Sequence, residues 1–250
     1  PPYDDYLIGS RLRARLADVP EVGYFKTDYI TPQKLAPYRV IVTAHSDYPL
    51  NQQRFSMAPP HLLRWFARHA EMGHPNVEGV PVGHQEPVTQ ILGNTDKIFQ
   101  KSQESKKNKN LAYICWRDET FPSERRMVRN LFQDHSWVTV DPYVRNQEGY
   151  DLHIDNLYNH KFVIAPRGNG PESIRMWDAL ALRSIPIVKR NPALKYFEEL
   201  PILFVDDWHE VANEEFLERK YEEMMNTHYN FEKLSLNYWF ERISTLARSG

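Results

Sequence analysis

A glycine turn next to arginines and acids is the densest group of chemistry-bearing residues in the chain. Pro166 and Arg167 precede Gly168-Asn169-Gly170, and Pro171 follows at what is predicted to be the first turn of a helix. Proline suits that position because the N–H it lacks would have no partner there. Glycines let backbone N–H groups approach a ligand, and a helix start favours anions through its free amides and its dipole. The segment therefore predicts a phosphate-binding turn.

Charged side chains around the turn extend this prediction. Arg167 precedes the turn and Arg175 lies one turn into the predicted helix, so both guanidinium groups could meet one anion. Glu172 and Asp178 are carboxylates on the same helix, where a carboxylate could accept hydrogen bonds from the two hydroxyls of a ribose. The alternative for Asp178 is an ion pair with Arg175, which would only support the helix. Spacing alone leaves both roles open.

Short apolar runs alternate with helical patterns in the second half of the chain, which is typical of a parallel sheet covered on both faces. The runs of strand length are residues 111–116, 137–140, 161–165, 185–189 and 202–205, and the helical patterns between them are residues 123–132, 151–159, 172–182 and 192–200. Two packing helices are predicted at residues 214–227 and 231–247. The glycine turn thus follows the third strand of a Rossmann-like unit.

The first half is predicted to be a smaller α/β unit. It has one clear buried strand at residues 39–43, a helix around residues 61–71 and a second strand at residues 77–82. Residues 94–110 are polar and charged, so they predict an interdomain linker or mobile loop. The predicted domains are therefore residues 1–93 and residues 111–250.

The motif order around the glycine turn resembles the donor-binding half of exostosin-like glycosyltransferases, which are inverting enzymes of the GT-B architecture. The shared features are a strand ending in Pro166-Arg167-Gly168, the helix residue Arg175, an acid before Ala179-Leu180 and a strand that contains Pro186. The acid here is Asp178, where glutamate is commoner in the family. The resemblance covers roughly residues 39–210 and is specific within residues 161–189. It implies two Rossmann-like α/β domains that face a cleft, the N-terminal one being small.

The resemblance implies that the second domain binds a UDP-sugar, with UDP-xylose preferred over UDP-activated glucuronate, galactose, arabinose or N-acetylglucosamine. The implied donor contacts are Arg117, Arg125, Arg167, Gly168, Asn169, Gly170, Glu172, Ser173, Arg175 and Asp178. Arg117 would reach the diphosphate unless it forms a surface ion pair with Asp118 or Glu119. The sequence has no Asp-x-Asp triad, so arginines and a helix start are expected to neutralise the diphosphate without an obligatory metal or other cofactor.

The acceptor side is expected on the first domain. Inversion at a sugar carbon needs a general base for the acceptor hydroxyl. Asp47 is the first choice and His45 the alternative, because both follow the strand at residues 39–43 and so reach the crevice. His45 and His84 could instead bind acceptor hydroxyls or be structural histidines. The predicted partners are a nucleotide sugar and a glycan or glycoprotein acceptor.

Composition narrows the remaining function classes. The 250 residues carry a formal net charge of −2, so a nucleic-acid partner is not expected. No stretch approaches the roughly 18 to 20 apolar residues of a membrane span. The single cysteine, Cys115, lies in an apolar run and is predicted to be core. A cytoplasmic location is predicted, with the Golgi lumen as the alternative if an anchor has been removed.

Two other functions stay open. One is a nicotinamide-dependent oxidoreductase on a similar fold, which is disfavoured because the glycine turn follows the third strand and lacks the full G-x-G-x-x-G pattern. The other is a catalytically silent carbohydrate-binding protein that kept the pocket.

Overall fold

Two parallel β-sheets, one in each half of the chain, organise the protein. The structure is a computed structural model that describes residues 5–85, 95–105 and 110–249. The first sheet has the order β1-β2-β3-β4 and consists of β1 (Val22–Lys26), β2 (Val40–Ala44), β3 (Arg64–Ala67) and β4 (Val77–Gly79). The helices of this half are α1 (Gly9–Leu16), α2 (Pro32–Leu35) and α3 (Gln52–Phe55). Every residue of β2 is buried, as its sequence VIVTA predicts.

The predicted helix around residues 61–71 is wrong, because β3 occupies the middle of that segment. Trp65 and Phe66 point to opposite faces of the sheet and both are buried, so each face supplies apolar side chains. The Trp65 indole N–H donates to the Thr43 hydroxyl on the neighbouring strand, 3.0 Å away. A short apolar run that is buried on both faces cannot be distinguished from a buried helix by its periodicity.

The second sheet has the order β6-β5-β7-β8-β9, again with all strands parallel. Its strands are β5 (Asn110–Ile114), β6 (Val138–Val140), β7 (His160–Ile164), β8 (Ile185–Lys189) and β9 (Leu203–Val205). Its helices are α5 (Pro122–Phe132), α6 (Gln147–Asn159), α7 (Ile174–Ala181) and α8 (Glu214–Met225). The five strands predicted for this half are all present. The predicted helix at residues 192–200 is a 3-10 helix over Pro192–Phe197.

The helix after the glycine turn begins later than predicted. Pro171 lies outside α7, whose N-cap residue is Ser173 in an extended conformation. The side chain of Glu172 hydrogen-bonds to the first domain, which holds the residues between the turn and the helix in a loop. Contacts across the molecule therefore decide where this helix starts.

The segment predicted as a linker or mobile loop contains a helix, α4 (Thr95–Ser102). Ile98 on α4 is fully buried. Lys97 pairs with Asp151 of α6 at 3.1 Å, and Lys101 pairs with Asp155 of α6 at 3.2 Å. The charged residues that suggested a solvated linker thus hold the helix on α6. Residues 94 and 106–109 of the predicted linker lie outside the described residues.

The last helix, α9 (Leu236–Ser249), packs on the first sheet rather than on the second. Trp239 and Ile243 are fully buried in the core formed with α1, β1 and β2. The Asp5 carboxylate accepts hydrogen bonds from the Ser235 hydroxyl and the Asn237 backbone N–H. The second domain was predicted to run to residue 250, but its last helix, α9, packs with the first domain. No helix in the described ranges is long and apolar enough to span a bilayer.

The carboxyl ends of the two sheets face each other. His69 follows β3, and its backbone N–H donates to the carboxylate of Glu172 after β7, at 3.2 Å. The backbone N–H of Val82, after β4, donates to the other oxygen of that carboxylate, at 2.9 Å. The loops that follow the strands of both sheets therefore meet at one cleft.

Candidate functional site

A cavity of about 280 Å³ lies in this cleft, with walls from both halves of the chain. The first half contributes Asp47, His69 and Val82 from the loops after β2, β3 and β4. The second half contributes the loops after β5, β6 and β7 and the start of α7. The strands β6 and β7 flank β5 on opposite sides, so the strand order reverses direction at β5. Open parallel sheets bind ligands at such a topological switch point. The cavity thus lies where this topology favours a ligand.

Arg175 on α7 brings a guanidinium group to the cavity wall. Its Nε and Nη1 are buried and have no hydrogen-bond partner among the described residues. Its guanidinium lies 5.7 Å from the ring centroid of Trp116. Burial lowers the pKa of Arg175 because the charged form loses its hydration. Buried N–H donors without acceptors are costly, so this group favours an anionic ligand.

Arg125 on α5 holds two loops of the cavity together. Its Nε donates to the Arg167 carbonyl at 2.7 Å, and its Nη1 donates to the Arg117 carbonyl at 2.8 Å. A Cβ atom on Gly168 would lie 3.1 Å from Nη2 of Arg125, so the glycine leaves room for the guanidinium. Burial, and secondly the charge of Arg175, lower the pKa of Arg125 to about 10. The two guanidinium groups are therefore close enough to raise the positive potential of the cavity.

The start of α7 adds neutral donors next to Arg175. Ser173 is the N-cap residue, but its side chain does not cap the helix. The hydroxyl is buried, lines the cavity and has no partner among the residues that the structure describes. The first amides of a helix also lack intrahelical acceptors. The structure brings the predicted residues Arg117, Arg125, Gly168, Asn169, Gly170, Ser173 and Arg175 together around the cavity.

Arg167 does not share this cavity. It lines a separate cavity with Lys189 and Arg190, and its guanidinium stacks on Phe121, 4.6 Å from the ring centroid. The prediction that Arg167 and Arg175 meet one anion does not fit this arrangement. The bond from Arg125 fixes the Arg167 carbonyl, and the Arg167 guanidinium donates to the carbonyls of Gly168 and Asn169, at 3.5 and 3.3 Å, outside the cavity that Arg175 lines.

Glu172 connects the domains and is not a free carboxylate. In addition to the two backbone bonds across the cleft, its Oε1 lies 3.2 Å from Nδ1 of His69, and both side chains are almost fully buried. A Cβ atom on Gly170 would lie 2.5 Å from Nε2 of His69, so His69 packs directly on the glycine turn. The predicted ribose contact from Glu172 does not fit, because its oxygens are already engaged.

Asp178 and His84 form a second buried pair across the domains. Oδ1 of Asp178 lies 2.5 Å from Nδ1 of His84. The His84 ring also lies edge-on to Tyr6, with 5.0 Å between ring centroids. The spacing suggested a ribose contact or an ion pair with Arg175 for Asp178, but its partner is His84, which occupies Oδ1. His84 is buried and does not line the cavity, so an acceptor contact from it does not fit.

Asp47 reaches the cavity, whereas His45 does not. Oδ2 of Asp47 accepts a hydrogen bond from the Asn169 amide across the cleft, at 3.2 Å. His45 has a φ of 56°, and its Nε2 lies 3.1 Å from the Tyr24 hydroxyl. It lines a different groove, with Arg13 and other residues of the first domain. Of the two candidate bases, Asp47 alone faces the glycine turn.

Arg117 lines the cavity, as predicted, and does not form the surface ion pair that was its alternative. Arg117 extends along the ring of Tyr143, with 5.6 Å from the guanidinium to the ring centroid, instead of pairing with Asp118 or Glu119. Asp118 pairs with Arg129 at 3.1 Å. Sequence reasoning missed the lining residues from the loop after β6 and from α6, namely Tyr143, Val144, Gly149, Tyr150 and His153. The sequence signal for them was their position after β6, the strand next to β5, because loops that follow the strands there line the cleft. Cys115 is buried, as predicted.

The metal prediction is not decided by the geometry. Within residues 5–85, 95–105 and 110–249, no group of three or more His, Cys, Asp or Glu side chains could hold a metal ion. Independence from a divalent metal therefore stays a prediction.

Comparison with known proteins identifies the fold. No protein-family model and no curated protein matches the chain. The chain is similar to a solved α1,3-fucosyltransferase, with a TM-score of 0.51 and 12% identity over 95% of this chain and 84% of that one. Similarity is weaker to an α1,3-fucosyltransferase with GDP-fucose, with a TM-score of 0.47 and 12% identity over 85% and 77% of the two chains. It is weaker again to UDP-GlcNAc 2-epimerase from Methanocaldococcus jannaschii, with a TM-score of 0.40 and 10% identity over 97% and 83%.

At these identities the likeness concerns the fold. The exostosin-like resemblance stays a prediction, because none of these matches tests it. The two facing parallel-sheet domains and the first of these matches confirm the predicted architecture: the chain has a GT-B-like α/β fold.

Proposed function

We propose that this chain is a glycosyltransferase that binds a nucleotide-activated sugar in the cavity between its two domains. The buried Nε and Nη1 of Arg175, which have no hydrogen-bond partner among the described residues, are the observation that supports this most strongly. The Ser173 hydroxyl and the start of α7 lie beside it, and Arg125 adds a second positive charge. Such a set of donors and charges is suited to a diphosphate.

The proposed reaction divides between the domains. The acceptor oxygen attacks the anomeric carbon of the donor, and the bond from that carbon to the diphosphate oxygen breaks with its electron pair. Arg175 and Arg125 stabilise the charge that develops on the diphosphate. Asp47 takes the proton of the acceptor hydroxyl. The attack comes from the face opposite the leaving group, so the configuration at the sugar carbon inverts.

The donor is proposed to be a UDP-sugar, with UDP-xylose as the first candidate and a glycan or glycoprotein as the acceptor. A GDP-sugar is the second candidate, because one of the similar structures is a fucosyltransferase with GDP-fucose. The reaction is proposed to need no divalent metal, and the cytoplasm is the proposed location. NAD-dependent oxidoreduction and silent carbohydrate binding are the competing functions.

A ligand screen tests the proposal. Calorimetric titration with UDP, GDP and NADH, with EDTA present, should give saturable binding of UDP or GDP and none of NADH. Arg175→Ala should weaken nucleotide binding by about tenfold or more, since hydrogen bonds to charged groups contribute about 1.5–3 kcal/mol. The matched control is Arg219→Ala, an exposed arginine of α8 outside the cavity. Binding that survives Arg175→Ala unchanged would contradict the proposed diphosphate site.

Turnover separates an enzyme from a silent binding protein. Nucleotide release from a UDP- or GDP-sugar in the presence of acceptor glycans should occur with the wild-type protein. Asp47→Asn should lower it by about 10² to 10⁴-fold, the usual contribution of a general base, while nucleotide affinity stays the same. Normal turnover in Asp47→Asn would show that the base is another group. Activity that EDTA abolishes and Mn²⁺ restores would refute metal independence.

A further inference from the structure

His153 lies on the wall of the same cavity as Arg175 but comes from a different element, α6. Its Nδ1 lies 3.2 Å from the hydroxyl of Tyr113. Its other ring nitrogen, Nε2, has no hydrogen-bond partner within the described residues. Neither nitrogen has a role in the donor contacts described above.

The neighbours of His153 fix which nitrogen carries the proton. Oδ2 of Asp141 accepts from the Tyr113 hydroxyl at 3.1 Å and from the Asn156 amide at 2.6 Å. A tyrosine hydroxyl has one proton, and here it goes to the carboxylate. The Tyr113 oxygen can therefore only accept from His153, so Nδ1 of His153 carries hydrogen. Nε2 is left with its lone pair.

We infer that His153 accepts, through Nε2, a hydrogen bond from an N–H or O–H group on the nucleoside part of the bound ligand. This inference rests on the proposed function and deepens it. The buried N–H groups of Arg175 favour an anionic ligand group, whereas Nε2 of His153 favours a ligand group that donates a hydrogen bond. A nucleoside diphosphate supplies both, and inorganic pyrophosphate supplies only the anion. His153 is thus a specificity-determining residue, and Tyr113 and Asp141 are positioning residues that act through it.

The electrostatic surroundings agree with a neutral ring. Burial, and secondly the positive charge of Arg175, lower the pKa of His153 to about 3. Arg175 and the Tyr113 hydroxyl lie near its ring, and Asp141 and Cys115 lie behind that hydroxyl. His153 therefore stays an acceptor at neutral pH and does not act as a second cation for the diphosphate.

Matched ligands and variants test this role. Affinity for UDP, GDP and inorganic pyrophosphate would be measured by calorimetry for the wild type, His153→Phe, His153→Gln and Tyr113→Phe. His153→Phe should lose about 5- to 30-fold in affinity for the nucleotide that the wild type binds, because a net hydrogen bond is lost and a donor on the ligand is left unpaired. Affinity for pyrophosphate should stay within about twofold. His153→Gln should recover part of the nucleotide affinity, since its amide oxygen can replace Nε2.

Controls separate this role from a structural one. His135→Phe changes a histidine that stacks on Trp137 outside the cavity and should leave both affinities unchanged. Thermal unfolding without ligand would show whether His153→Phe folds. If it does not, the nucleotide and pyrophosphate affinities of His153→Gln are compared with those of the wild type instead. Tyr113→Phe should weaken nucleotide binding less than His153→Phe, because the ring remains while its tautomer is freed. The pH dependence of nucleotide affinity from pH 5 to 8 should be the same in the wild type and in His153→Gln, because the ligand's terminal phosphate, with a second pKa of about 6, titrates in both and His153 does not.

The outcomes distinguish the two proposals. If the wild type binds neither UDP nor GDP, both the proposed function and the role of His153 fail. If a nucleotide binds with the same affinity to His153→Phe, or if His153→Phe weakens pyrophosphate as much as nucleotide, only the role of His153 fails. An increase in nucleotide affinity below pH 6 in the wild type but not in His153→Gln would also overturn it, because a protonated ring would then be the binding form.

Discussion

Arg125 and Arg175 are two buried arginines on one cavity, and they differ in what they hold. Arg125 donates to two backbone carbonyls and so stabilises the loops that carry the site. Two buried donors of Arg175 have no partner in the part of the chain that the structure describes, and they make no comparable bond to the backbone. A residue that is costly in the empty protein and useful with ligand is typical of a binding site.

This contrast gives the first prediction. In the absence of ligand, Arg125→Met should lower the free energy of unfolding by about 2 kcal/mol or more, since two carbonyls lose charged donors. Arg175→Met should leave it unchanged or raise it, because a poorly solvated cation is replaced by an apolar side chain of similar length. Urea unfolding of the ligand-free proteins measures both. Equal destabilisation by the two variants would show that Arg175 is a structural residue.

Gly170 gives the second prediction. Its Cβ would meet the His69 ring at 2.5 Å, and His69 is held on the buried carboxylate of Glu172. Gly170→Ala should therefore destabilise the protein by about 1–3 kcal/mol through overpacking, and should weaken nucleotide binding by moving the turn. Gly73→Ala is the control, because nothing lies within 4 Å of its Cβ position. Thermal unfolding that does not distinguish the two alanines would contradict the close packing of His69 on the turn.

The sequence predicted the cavity residues of the second domain more fully than the contacts that the first domain makes with them. Gly168, Ser173 and Arg175 could be found because they lie near one another along the chain. The partners of Glu172 and Asp178 could not, because His69 and His84 are distant in sequence and only folding brings them close. Spacing within one segment shows which residues are neighbours on a helix. It does not show which of them face another domain.

At the scale of elements, α/β alternation predicted the second sheet well and the first sheet poorly. The strands of the second sheet are short apolar runs separated by helices of ordinary length. In the first half, α1 is rich in arginine and β1 contains a glycine and a lysine, so neither gave a clear pattern. The segment that contains β3 is apolar on both faces, which suits a helix as well as a strand. Tertiary burial decided these cases.

The helix α4 gives a third prediction, because a mobile linker and a packed helix respond differently to truncation. Ile98→Ala should destabilise the protein by about 2–4 kcal/mol, as expected for a buried isoleucine. Leu152→Ala on the neighbouring α6 is the control, since Leu152 is 48% exposed. Chemical unfolding of both variants measures the difference. A loss below about 0.5 kcal/mol for Ile98→Ala would agree with the linker instead.

At the scale of the whole molecule, two buried histidine–carboxylate pairs join the domains at the cavity. His69 with Glu172 and His84 with Asp178 both place a partner from each half of the chain in the interior. Breaking one partner of such a pair leaves the other buried and unsatisfied. The two halves should therefore lose stability together when either pair is removed.

The last helix gives the fourth prediction, at the same scale. Trp239→Ala should lower the free energy of unfolding by about 3–5 kcal/mol, because Trp239 is fully buried against the first sheet. It should also weaken nucleotide binding, since Asp47 and the partners of Glu172 lie on loops of that sheet. Circular dichroism and calorimetry with UDP or GDP measure the two effects. A folded variant with wild-type stability would show that α9 is not part of the first domain's core.

The return of α9 to the first sheet also bears on how the protein is made. Of two domains, the one that is synthesised first usually folds first. Here the core around β1 and β2 lacks Trp239 and Ile243 until the segment that forms α9 has been translated. The second sheet can be completed earlier, because its strands end at Val205. The half that is synthesised first would thus be the half that finishes folding last, and the cavity between the halves would form only then.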